Sequence, residues 1–432
     1  MILFFALSVK TVMAQNTATT SSPYSRYGLG QLNDDQNPQT SAMGGIGTAI
    51  NRISGYNTAN SLNPASYGFI NLTTIDIGMY INSVKLSQDG VGSQSNLNAR
   101  LSHIAFAIPV TSRSALSFGL KPYSELGYNY QQSKSNFGTG LPSDTNQVNY
   151  IYNGDGGLSK AYLGYGFGLG KHIYFGGNVS YIFGNLQEYA STEIPNLYGV
   201  LNSRVERSNQ VGGLNYDVGT QIAFDFSESE HLTFGYSASL STNLNTKNKY
   251  IVSQYQKNFS TSNESVAADT VVNQQSDNSK IKLPLINHFG VTYQKDGAYL
   301  IGADYTTGKW SNLTIAGVNQ SLQNSQTFNV GGQVTPNSLS LNNYLARVDY
   351  RLGFKYEKTY ININSTDIKA KAVTFGLGLP LSSNSGSFYK INFSAEIGTR
   401  GTLQNSLIKE NYYNFHLGFL LNDKWFRKYR FD

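Results

Sequence analysis

The side chains that could do chemistry are scattered through this chain. Five histidines (His103, His172, His231, His288 and His416) stand far apart, and the absence of cysteine removes thiol nucleophiles and thiolate metal sites. Neither a Gly-x-Ser-x-Gly elbow nor a His-Glu-x-x-His metal motif occurs. Asp217 and Asp225 share one parity of an extended segment. Eight residues of strand separate them by roughly 27 Å, too far for two carboxylates to divide acid–base work. In the run from Gly164 to Gly170 the glycines alternate with large side chains at period two. That is a strand with one small face, not a loop cradling a phosphate. No enzyme activity, cofactor or metal ligand set is expected.

What the sequence does position is a row of charges. From Leu214 to Phe226 one row reads Leu214, Tyr216, Val218, Thr220, Ile222, Phe224, Phe226, and the other contains Asn215, Asp217, Gln221 and Asp225. From Tyr344 to Tyr356 the apolar row faces Arg347, Asp349, Arg351 and Lys355. Lys390, Glu396 and the five histidines keep the same polar parity elsewhere. Period two over such lengths specifies β-strand. Soluble strands average about 5–6 residues, whereas these reach roughly 44 Å, or about 31 Å along a membrane normal at a 45° tilt. A charge on a lipid-facing row at mid-depth costs ~2–4 kcal/mol. The segregation therefore predicts an apolar exterior and a wet interior: an all-β, transmembrane antiparallel β-barrel.

Composition agrees. Only 13% of the 432 residues are charged, 13% are aromatic and 43 are glycine, so something other than water covers much of the surface. The net charge of +6 comes without a basic stripe interleaved with aromatics, which argues against nucleic-acid binding. Residues 1–14, an apolar run ending in Val12-Met13-Ala14 before Gln15, read as a secretory leader, although a basic start is missing and Lys10 follows the apolar core. The run is far short of the ~20 residues a membrane helix needs.

Thirteen strand candidates are legible between Thr73 and Leu421. Bacterial single-chain barrels use even numbers, so fourteen strands are expected, with twelve as the alternative; Tyr360–Asn364 or the tail from Lys424 would supply the missing one. Short turns near 111–113, 170–172, 227–230 and 295–297 alternate with long polar stretches near 85–98, 133–147, 189–209, 251–282 and 309–341. This predicts short periplasmic turns and long outer loops.

Residues 15–70 lack period-two patterning and are polar and glycine-rich, as a plug or hatch inside the lumen would be; residues 71–432 form the barrel. Here the order of several motifs resembles the long-chain fatty acid transporter family of outer-membrane barrels (FadL/OmpP1/TodX-like), in the form found in Bacteroidetes. They are Met43-Gly44-Gly45-Ile46-Gly47, then Asn63-Pro64-Ala65 before the first strand, Leu345 to Gly353, Thr374 to Pro380, Gly398-Thr399-Arg400-Gly401 and Asp423-Lys424-Trp425-Phe426. The resemblance implies fourteen strands, an N-terminal hatch containing Gly44, Gly45, Gly47, Asn63, Pro64 and Ala65, and an outer-membrane location among lipid and lipopolysaccharide. It also implies passive uptake of hydrophobic small molecules by a lateral route. Against uptake, the lumen row is polar (Arg347, Asp349, Arg351, Asp217, Asp225) and offers little apolar surface to a fatty acid. The alternative is a non-transporting accessory subunit, partnered by proteins of an outer-membrane secretion or barrel-assembly complex.

Overall fold

Fourteen antiparallel strands close into one cylinder in the computed structural model, which describes residues 22–138, 144–197, 199–259, 263–265, 267–381 and 387–425. The expected leader (1–14) and the tail beyond Trp425 lie outside these residues. The first six strands are β1 (Thr73–Gln88), β2 (Val91–Thr111), β3 (Ser114–Ser135), β4 (Gln147–Leu169), β5 (Ile173–Glu193) and β6 (Asn202–Asp225). Two broken strands follow, β7 (Glu230–Ser239 with Asn243–Tyr255) and β8 (Asp269–Lys282 with Ile286–Lys295). The wall is completed by β9 (Tyr299–Gly308), β10 (Ser325–Val334), β11 (Asp349–Ile363), β12 (Thr366–Pro380), β13 (Phe388–Gly401) and β14 (Ile408–Asp423). β14 pairs with β1 from Ile408↔Gln88 to Asp423↔Thr73, which closes the sheet.

The breaks in β7 and β8 face each other. β6 pairs with both halves of β7, so each broken strand counts once. Pro284 lacks the N–H a ladder needs, and the gap is bridged instead by Leu283 N–H to Thr242 O at 2.8 Å and by the Ser241 hydroxyl to Leu283 O at 2.6 Å. A second irregularity lies between β2 and β3. Their ladder runs only from Thr111↔Ser114 to Ile104↔Leu120, and above it Gln31 and Leu32 pair with Glu125 and Ser124 of β3.

The strand absent from the sequence reading is β10, not Tyr360–Asn364 or the tail. Residues 360–363 belong to β11, and β10 was hidden inside an expected loop. Its Gly331-Gly332 pair interrupts the apolar row of Phe328, Val330 and Val334. The expected long loops also shrink. β1 and β2 join through Asp89-Gly90, and much of 189–209 and 251–282 is strand. The physical reason is a polarity inversion along single strands. On β4 the outward row is Phe167, Tyr165 and Leu163, then Asp155 and Asn153; the inward row is Tyr162 and Lys160, then buried Leu158. Past the hydrocarbon layer water lies outside, so period two persists with its sign reversed. The short/long alternation is likewise imperfect: residues 335–348, at the short-turn end, form a long connection containing the helical turn Tyr344–Arg347.

The outward row is apolar and exposed, as in Ile173, Phe175, Val179, Tyr181 and Phe183 on β5. No helix among the described residues is long and apolar enough to cross a membrane.

Candidate functional site

From Ser22 to Leu72 the chain packs against the inward face of the wall and passes from the loop end to the short-turn end. Near the top, the Tyr24 hydroxyl donates to Ile408 O at 2.5 Å and the Ser25 hydroxyl to Gly127 O at 3.1 Å. Midway, Asp304 of β9 accepts from the Gly47 N–H at 2.7 Å and from the Thr48 N–H and hydroxyl, each at 2.8 Å. At the bottom, the Asn57 N–H donates to Asn422 Oδ1 at 2.9 Å. The wall yields to this segment where it lacks side chains. A methyl group at Gly331 would strike the Met43 carbonyl, one at Gly353 the backbone of Met43 and Gly44, and one at Gly166 the Pro64 carbonyl. In the Gly164–Gly170 row, Gly166 admits the backbone of the segment, while Gly164 and Gly168 make room for the Tyr67 and Tyr174 rings.

All six residues expected in the hatch sit at this contact. Gly44 and Gly45 have φ of +72° and +85°, which glycine adopts without strain. The Gly44 N–H donates to the Thr374 hydroxyl at 2.7 Å. Asn63 is fully buried and its amide donates to Thr48 O at 2.7 Å, Thr220 O at 3.2 Å and Tyr236 O at 3.3 Å, so one side chain ties the segment to β6 and β7. Its Oδ1 accepts from the Ala65 N–H and caps the short helix Pro64–Phe69, with Pro64 at the first position and Ala65 buried.

Of the charges assigned to the lumen, Asp349, Arg351 and Asp217 are there. Asp349 is a buried hub, accepting from Arg351 Nη2 at 2.8 Å, Lys390 Nζ at 2.7 Å, the Thr335 hydroxyl at 2.7 Å and the Ser54 hydroxyl at 3.0 Å. Asp217 pairs with Lys160 at 2.8 Å. Arg347 is not on a strand: it ends the helical turn before β11, where its guanidinium lies 5.3 Å from the Tyr344 ring. Asp225 lies at the short-turn rim, exposed and 2.6 Å from His231. His172 is in the adjoining turn, with Nδ1 3.0 Å from Ala223 O. Strand parity gives the face of a residue but not its height, which is why rim residues passed as lumen residues. His103, His288 and His416 do face inward, the first 3.1 Å from Asp76.

Between segment and wall lies a cavity of ≈ 260 Å³. Its lining mixes charged groups, among them Asp35, Lys121, Lys160, Glu357, Arg400 and Glu410, with apolar ones such as Leu62, Val84, Ile286 and Trp310. Asp35 faces Lys121 at 2.8 Å and Lys160 at 3.8 Å. Burial raises its pKa, but the two ammonium groups outweigh that and hold the carboxyl at about 2. Above the cavity the lumen turns dry. Leu158, Ile182, Leu244 and Ile281 from the wall pack with Trp310 and Leu313 from the loop after β9 in one buried cluster. The sequence reading expected few large apolar residues inside; this cap is what it missed. The reversed period-two rows above the membrane were the available signal. Asp304 was also missed, although it alternates with Ala303 and Tyr305 on the polar parity.

Solved structures share this architecture. A Pseudomonas putida toluene transporter, TodX, aligns with a TM-score of 0.59 at 13% identity, covering 91% of this chain and 100% of that one. The Ralstonia pickettii toluene transporter TbuX gives 0.57 at 14% identity over 90% and 99%. A Pseudomonas aeruginosa FadL homologue gives 0.55 at 11% over 91% and 99%. These likenesses establish a FadL-like fold. A comparison with curated proteins finds no match to the sequence. The family model described as BamG matches residues 1–432, and the chain belongs to the BamG family.

Proposed function

We propose that this chain is an outer-membrane barrel whose lumen is permanently plugged and which serves as a non-transporting accessory subunit of an outer-membrane assembly or secretion complex. The observation that carries this is how much of the lumen the N-terminal segment and the inward side chains fill. Hydrogen bonds from the segment to Asp304 and Asp349, and from the Asn63 amide to Thr220 O, hold it below, charged and polar groups share the cavity lining with apolar ones, and an apolar cluster packs near the top. A hydrophobic solute entering the cavity would strip water from polar and charged groups that it cannot hydrogen-bond in exchange, which is unfavourable. The designation BamG also favours an assembly role.

The second reading, passive uptake of hydrophobic compounds, is favoured by the fold shared with TodX and TbuX. Fold alone is a weak warrant for function, and these lumen residues differ in kind from an apolar passage. One experiment separates the two: uptake of radiolabelled toluene into proteoliposomes bearing the full chain, alongside gentle-detergent purification from the native membrane. Toluene entry at the protein-free rate, together with a stoichiometric protein partner, is expected. Saturable, protein-dependent entry by a barrel purified alone would overturn the proposal.

A further inference from the structure

The connection between β10 and β11, residues 335–348, is unlike its neighbours. Other turns at that end show Arg113, Lys171, Glu228 and Asp296. This one shows Leu339, Leu341 and Leu345 at 86%, 92% and 65% exposure. It is built rather than slack. The Asn337 N–H donates to Ala346 O at 2.7 Å and the Thr335 N–H to Ala298 O at 2.6 Å. Asn343 Oδ1 accepts from the Ala346 N–H at 3.3 Å and caps the helical turn. Burying one such leucine gains roughly 1.5–3 kcal/mol, so a preformed platform presenting three of them is made to be covered.

The cover is indicated by what the platform adjoins. Tyr350, the first outward residue of β11, donates its hydroxyl to Leu345 O at 3.1 Å, which joins the platform to the lipid-facing belt. That belt runs from Tyr299 to Tyr305 on β9, Phe328 to Val334 on β10 and Tyr350 to Tyr356 on β11, and the exposed leucines continue it beyond the strand ends. Tyr344 and Arg347, in ring–cation contact beside them, are the types that settle at the headgroup level. We propose that residues 335–348 form a foot that enters the phospholipid leaflet at the short-turn end. Leu339, Leu341 and Leu345 reach the acyl boundary, and Tyr344 and Arg347 lie at the phosphates. This rests on the fold and not on the accessory-subunit reading; a soluble partner chain is the rival occupant.

The lack of cysteine makes single nitroxide labels clean. Leu339→Cys, Leu341→Cys and Leu345→Cys, labelled in the full chain, are reconstituted into phosphatidylethanolamine–phosphatidylglycerol vesicles. Val179→Cys on the lipid face and Ser229→Cys in the β6–β7 turn serve as references, and heat-modifiable mobility confirms that each barrel is folded. Oxygen-over-nickel accessibility at positions 341 and 345 is expected to approach that at 179 and to exceed that at 229 several-fold. Values matching position 229 overturn the proposal and leave the leucines to a soluble partner.

Discussion

Gly47 donates its backbone N–H to Asp304 Oδ2 at 2.7 Å, and the two residues are 257 positions apart in sequence. This contact, with the two Thr48 donors on the same oxygen, fixes the N-terminal segment to the wall at mid-depth. Asp304→Ala leaves three donors without an acceptor. Docking of the segment is expected to weaken by about 2–4 kcal/mol, since hydrogen bonds to charged groups contribute roughly 1.5–3 kcal/mol each and are partly replaced by water. Hydrogen exchange at residues 42–50 should rise while the wall stays protected, and Asp304→Asn should recover part of the loss. Unchanged exchange would mean that the contact holds nothing.

The glycine rows of the wall make a steric prediction. Gly331→Ala and Gly353→Ala drive a methyl group into Met43 and Gly44, and crowding of this kind typically costs about 1–3 kcal/mol. Gly92→Ala meets open space and should be neutral. Midpoints of thermal unfolding in detergent are the comparison, and equal midpoints for all three variants would refute the packing argument.

Asp35 sets a pH expectation. Its carboxyl is held at about 2 by Lys121 and Lys160 after burial is outweighed, below the ordinary 3.9 of an aspartate. A depressed folded-state pKa contributes stability above the unfolded value and loses it as pH falls through the folded one. Protease resistance of residues 33–41 should therefore persist at pH 4 and fall off only as pH approaches 2. In Asp35→Asn that acid step should vanish, with the resistance already lowered at neutral pH because Lys121 loses its carboxylate partner while Lys160 keeps Asp217.

The outward belt predicts where charge is tolerated. Val179 lies midway along the exposed row of β5. Val179→Lys should cost ~2–4 kcal/mol of folding free energy in bilayers, read as a lower folded fraction in vesicles by heat-modifiable mobility. Exposed Ser133, on β3 beyond the belt, should accept lysine without loss.

The cap gives a last expectation. Trp310→Ala removes a buried ring that packs 4.8 Å from Tyr360, centroid to centroid, and aromatic truncation costs about 3–5 kcal/mol in a well-packed core. Because the loop carrying it joins the ladder only through Thr314 and Ile315, paired with Lys282 and Ile281, the loss should appear as faster labelling of a cysteine placed at Ser325 beneath the cap. The midpoint of barrel unfolding should barely move.

The sequence alone determined that the chain is a β-barrel with lipid outside, because period two and the exclusion of charge from lipid act residue by residue and leave their mark in one strand at a time. The resemblance carried by its motif order also singled out Gly44, Gly45 and Asn63 of the N-terminal segment, where positive φ and helix capping are local demands. Tertiary structure decided the rest. Which inward residues meet the segment depends on register around the whole cylinder, so Asp304 could not be paired with Gly47 from spacing. Height above the membrane plane depends on strand tilt, so Asp225 and His172 at the rim looked like lumen residues, and Arg347 looked like part of a strand that begins only at Asp349. The apolar cluster near the top arises because apolar side chains from separate strands and a loop converge only once the sheet has closed.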